Sequence, residues 1–155
     1  MRHALLLSCF ALMACSLDFL GSGEETATTT PTAAQVAYCR SVMYIRPELE
    51  IEPLGHALMP GLDDVIRFKF RAKTDDPSLL FDPGQVDATT FAPGLAGASL
   101  EIGSPQAWWD VASQQLTGAR FTVPPPDSPG TRGLAIGHVD NGDGTLTVYV
   151  LWHET

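Results

Sequence analysis

Basic residues, cysteines and long apolar runs are all scarce in this chain, and each shortage excludes something. Nine Lys and Arg stand against 18 Asp and Glu, a formal net charge of −9. A protein that grips nucleic acid by neutralising phosphates needs a basic surface, so no nucleic-acid partner is expected. Of the three cysteines, Cys9 and Cys15 fall near the start and Cys39 stands alone, so neither a zinc spacing nor a disulfide framework is present. The longest apolar run, residues 4–15, is about twelve residues, short of the roughly 17 to 25 that cross a bilayer. No Gly-x-Ser-x-Gly elbow and no His-Glu-x-x-His pair occurs. The acids of Asp63-Asp64 and Asp75-Asp76 are adjacent, whereas glycosidase carboxylates face each other from separate elements. No metal and no cofactor is expected. Asp140, Asn141, Asp143 and Gly144 miss the spacing of a calcium loop, and the strand pairing expected at the C-terminus sets His138 and His153 on the order of 20 Å apart.

What the chain does have begins at its start. Arg2 and His3 precede the apolar run, which ends in Leu12-Met13-Ala14-Cys15. A basic start, an apolar core and a small residue before the cut describe a secretory signal. The tetrad resembles the lipobox of bacterial lipoproteins. That resemblance implies a signal peptide over residues 1–14, cleavage before Cys15 and diacylation of its thiol. Two acyl chains hold a protein stably on a membrane. Ser16, in place of an aspartate, favours the outer membrane in a two-membrane envelope. Residues 15–35, rich in Gly, Ser, Thr and Ala, read as a flexible tether. Residues 36–155 read as a single domain, with Cys39 as a buried, inert thiol. The resemblance covers the export segment only.

Within the domain, Ile66, Phe68, Phe70 and Ala72 alternate with Arg67, Lys69, Arg71 and Lys73, which predicts a strand over 65–73. Asp76-Pro77 reads as a cap followed by a short helical turn. Residues 86–103 carry no clear period and read as loop. Ser104-Pro105 introduces Trp108, Ala112 and Leu116 at i, i+4 and i+8, predicting a helix over 106–116 that stops at Gly118. A strand over 120–123 precedes a proline-rich loop at 124–130. Asn141-Gly142-Asp143-Gly144 between residues 134–139 and 146–153 predicts a hairpin. With Asp140 facing Thr145, Gly137 meets Val148 and Ala135 meets Val150, and both faces are apolar. Such a hairpin belongs at the centre of a sheet. The fold class expected is α+β: a small antiparallel sheet with a C-terminal β-hairpin and one or two short helices.

Two constellations carry chemical content. The stripe Arg67, Lys69, Arg71 and Lys73 places four cations on one strand face, a grip for an anionic ligand such as a lipid headgroup phosphate or a cell-wall polymer. The competing use is pairing with Glu48, Glu50 and Glu52, which alternate on a neighbouring segment. Trp108 and Trp109 beside Asp110 suit stacking on a glycan; the competing use is anchorage in the core. The function expected is therefore a lipid-anchored, extracytoplasmic binding or structural module, with an envelope protein or glycan as partner. The alternative is a small envelope hydrolase.

Overall fold

The computed structural model describes residues 24–61, 63–126 and 129–154. Seven strands, β1 (Thr26–Thr28), β2 (Ile51–Met59), β3 (Val65–Ala72), β4 (Ala92–Pro93), β5 (Thr117–Val123), β6 (Arg132–Asp140) and β7 (Leu146–Glu154), form one antiparallel sheet in the order β1-β2-β3-β7-β6-β5-β4. Two α-helices, α1 (Ala33–Val42) and α2 (Gly97–Leu100), complete a structure that is mostly sheet. Every pairing in that order joins consecutive strands except one. The exception is β3 with β7, where Val65 lies opposite His153 and Ala72 opposite Leu146.

Both faces of the sheet are covered. On one, Ile66, Phe68 and Phe70 of β3 and Val148 and Val150 of β7 pack against Cys39, Val42 and Met43 from α1 and its end. On the other, Ala135, Tyr149 and Leu151 lie under Ala96, Leu100, Trp109, Val111 and Leu116. Residues 96–116 thus form a second layer. Cys39 is wholly buried, and burial pushes its thiol up to about 12.

Three expectations change. First, β1 and the start of α1 lie within the segment read as tether. Thr32 and Gln35 form a capping box, the Gln35 N–H donating to Thr32 Oγ1 (3.2 Å) and the Thr32 N–H to Gln35 Oε1 (2.8 Å), and Thr26 pairs with Leu58. The described part of the ordered body therefore reaches back to residue 24. Second, residues 106–116 are not a helix. A turn closes from the Trp109 N–H to Gln106 O (2.9 Å), a 3-10 turn spans Val111–Ser113, and the chain then straightens into β5. Adjacent helical residues point about 100° apart. The open path lets Trp109 bury its ring while Trp108 packs over Gly55, where an added Cβ would lie 2.2 Å from the indole. Third, the hairpin register differs by one residue. Asp140 faces Leu146, and the loop of residues 141–145 closes through the Asn141 N–H to Thr145 O (3.1 Å), with Gly142 and Gly144 at positive φ. Gly137 then meets Tyr149, Ala135 meets Leu151 and Ile136 meets Val150, which reassigns the faces.

Two histidines sit on the α1 side of the sheet. His56 faces Phe68 across the β2–β3 pair, and His138 stacks near Phe91 with 5.7 Å between ring centroids. Among the described residues neither ring nitrogen of His138, nor Nδ1 of His56, has a hydrogen-bond partner. Burial lowers the pKa of both; for His138 the charge of Asp140 opposes it. The folded state therefore prefers the neutral rings, whereas the unfolded chain takes up protons as pH falls through about 6.5. Stability is expected to fall below that pH, by at most about 1.4 kcal/mol per pH unit for each histidine. Denaturant melts between pH 7 and pH 5 measure this. His138→Phe is expected to flatten the slope, and an unchanged slope would show that His138 is not one of its sources.

Candidate ligand-binding groove

The basic stripe occupies the face of β3 that residues 96–116 cover. Arg67 is 1 % exposed; its Nε donates to Ile102 O (2.9 Å) and its Nη1 to Ser104 O (2.7 Å), with Glu25 4.0 Å away and the Trp109 ring centroid 5.8 Å from the guanidinium carbon. Lys69 donates to Trp108 O (2.9 Å) and Asp110 Oδ1 (2.6 Å) and stands over the Tyr149 ring. Farther along, Arg71 pairs with Glu52 at 2.9 Å and Lys73 with Glu50, both on the surface. Two of the four cations thus fasten the covering layer, and two brace β2 against β3. Exposed pairs of that kind contribute about 1 kcal/mol or less. Lys69 and Arg71 also border a small cleft of about 180 Å³ with Gln114, Asn141 and Thr147.

The tryptophans belong to the same layer. Trp109 is buried and donates from Nε1 to Leu100 O (2.7 Å), and it meets both Trp108 and Tyr149 edge to face. Trp108 is partly exposed. Asp110, next in the chain, accepts from Lys69, from the Tyr149 hydroxyl (2.7 Å) and from Gln114 (3.1 Å). Its partial burial would raise its carboxyl pKa, but the hydrogen bonds from Lys69 and Tyr149 and the Lys69 charge overcome that and hold it low. Burial, together with Asp110, pushes the Tyr149 phenol up. This network locks a covering layer that has almost no regular structure of its own.

A different place has the geometry of a ligand site. It is a groove of about 680 Å³ at the C-terminal end of α1, within the range of small-molecule sites. The helix ends in a Schellman arrangement: the Ile45 N–H reaches Arg40 O (3.0 Å) and the Tyr44 N–H reaches Ser41 O (3.5 Å). The residue after the cap in this motif adopts the left-handed conformation and is usually glycine. Here it is Tyr44, with φ of 57°, the only described non-glycine residue at positive φ. Such strain costs about 1 to 3 kcal/mol and persists only where the surroundings enforce it. The enforcement is visible. Ile45 bridges Phe81, Tyr44 O accepts the Asp82 N–H (2.8 Å), and the Tyr44 hydroxyl donates to Pro124 O. Burial raises the phenol pKa, as does the Asp82 charge.

Two arginines serve the same groove. Arg40 donates to three backbone carbonyls, Arg46 O (2.7 Å), Leu49 O (2.8 Å) and Pro47 O (3.4 Å). Arg46 donates from Nε to Phe81 O (3.0 Å), and its Nη1 lies 3.9 Å from Glu48. Ala37, Pro47 and Pro83 supply apolar walls. Nothing in the sequence marks these residues as a set. The Thr32–Gln35 capping box locates the start of α1, but no comparable signal marks the groove beyond its end.

No protein-family model matches the chain, and no curated protein or solved structure does either.

Proposed function

We propose that the protein is a lipid-anchored lipoprotein of the cell envelope whose small α+β domain, an antiparallel sheet closed by its C-terminal hairpin, is a binding module with the groove beside Tyr44 as its ligand site. The observation that carries this reading is a tyrosine held in the glycine position of a helix cap, lining a cavity of about 680 Å³. Strain retained where glycine would remove it is the mark of a side chain kept for what it contacts. Truncating a core aromatic costs about 3 to 5 kcal/mol, and a half-buried one such as Tyr44 ordinarily a good part of that. Tyr44→Gly is expected to leave the melting midpoint within about 1 kcal/mol of wild type, because relief of the left-handed strain offsets the lost packing. A loss of the ordinary size would mean that Tyr44 is a structural residue and that the strain is incidental.

The anchor rests on the Leu12-Met13-Ala14-Cys15 tetrad, which lies outside the described residues. From Cys15 to Glu24 the chain spans at most about 35 Å even when fully extended, so the domain works close to its membrane. The outer membrane is the favoured site, and an envelope protein or glycan the partner class. Cys15→Ser is expected to move the protein from the membrane fraction to the soluble fraction or to leave it uncleaved. Mass spectrometry of the wild-type protein that finds an unmodified mature N-terminus at another residue would remove the anchor.

A further inference from the structure

We infer that the groove beside Tyr44 takes a small organic anion, one carboxylate or phosphate carried on an apolar body the size of an aromatic ring. The inference rests on reading the groove as a binding site and adds its ligand class. The chain is acidic, with a net charge of −9, yet the half-buried charges of this groove are the two arginines. Arg40 has no carboxylate within 4.0 Å among the described residues; its partners are backbone carbonyls, which satisfy its donors without cancelling its charge. Arg46, which lines the groove, spends Nε on Phe81 O, and the carboxylate nearest its Nη1, that of Glu48, is 3.9 Å away and 69 % exposed. An exposed carboxylate at that distance is screened by water and competes weakly for the guanidinium. The other acid on the rim, Asp82, is exposed and accepts from the Gly84 N–H (2.8 Å). The Arg46 guanidinium, backed by the uncancelled charge of Arg40, in a cavity walled by Tyr44, Ala37, Pro47 and Pro83 selects an anionic head on an apolar body. A ring stacked on Tyr44 or packed between the prolines fills the rest.

The test is calorimetric titration of the mature protein in detergent with 3-phenylpropionate, phenyl phosphate and the neutral 3-phenylpropan-1-ol. Both anions are expected to bind and the alcohol to bind at least about tenfold more weakly. The stronger of the two anions identifies carboxylate or phosphate as the head. Arg46→Gln is expected to weaken the anions about tenfold and leave the alcohol unchanged. If Arg46→Gln does not fold, Glu48→Gln on the exposed rim decides, because removing the competing carboxylate is expected to tighten the anions severalfold. Equal binding of alcohol and anions, or anion affinity untouched by these variants, overturns the anionic ligand while the groove remains a site. Failure of all three probes to bind, or binding that survives Tyr44→Gly undiminished, overturns the groove itself.

Discussion

Arg67→Met is expected to destabilise the domain by about 3 to 5 kcal/mol. Methionine replaces the aliphatic stem of the side chain but not its forked end, so the carbonyls of Ile102 and Ser104, exposed residues bonded to the buried guanidinium, lose their donors. Each buried polar group left unsatisfied costs about 1 to 3 kcal/mol. The space beside Trp109 that the guanidinium fills also empties. Arg67→Lys keeps the charge but lacks the fork that serves two carbonyls at once, and is expected to recover less than half of the loss. Denaturant melts measure both. A methionine variant within about 1 kcal/mol of wild type would show that residues 96–116 are held by their apolar contacts alone.

Gly118→Ala is expected to cost about 3 kcal/mol or more. Gly118 and Gly137 lie opposite each other across the β5–β6 pair. A Cβ at Gly118 would lie 1.9 Å from Ile136 O and 2.8 Å from Gly137 Cα, both backbone atoms of the neighbouring strand. No rotamer change relieves such a clash, so the two strands have to separate and their ladder has to loosen. Gly97→Ala is the control. Its site is open and helical, with nothing within 4 Å of the added atom, and a change of about 1 kcal/mol or less in the stabilising direction is expected. If Gly118→Ala melts like wild type, the close approach of β5 and β6 is not a fixed feature of the sheet.

The strand at residues 65–72 was legible because alternation reports local geometry directly, and β3 has the inward residues Ile66, Phe68, Phe70 and Ala72 that the pattern indicates. The use of its other face was legible in half: Arg71 and Lys73 make the pairs with Glu52 and Glu50 that the alternating charges offer, whereas the engagement of Arg67 and Lys69 with a covering layer was not. A row of Arg and Lys on a strand reads as a surface open to solvent, and only the layer formed by residues 96–116 turns Arg67 into an interior residue. The same layer explains the failed helix at 106–116. Trp108, Ala112 and Leu116 have helical spacing, but Asp110 bonded to Lys69 and Tyr149, and Trp109 bonded to Leu100 O, draw the backbone into turns. The hairpin was legible from its glycines, whereas its register depended on whether the loop held four residues or five. That choice was settled by the Asn141–Thr145 closure and by the Gly142 and Thr145 N–H groups donating to the Asp140 and Asp143 carboxylates. The groove was invisible for a simpler reason: a left-handed tyrosine leaves no trace in a sequence.

The position of β7 orders events in time. It is the last strand of the chain, yet it lies between β3 and β6, with about eighty residues separating the partners it joins to β3. Until it emerges, β1–β3 and β4–β6 are two partial sheets, each ending in an unfilled edge of apolar strand. Synthesis from the N-terminus therefore leaves the sheet unfinished until β7 has been made. The two groups of strands share no direct pairing among the described residues, so the sheet is one body only through β7, and a chain lacking that strand is expected to lose the whole sheet instead of one edge of it.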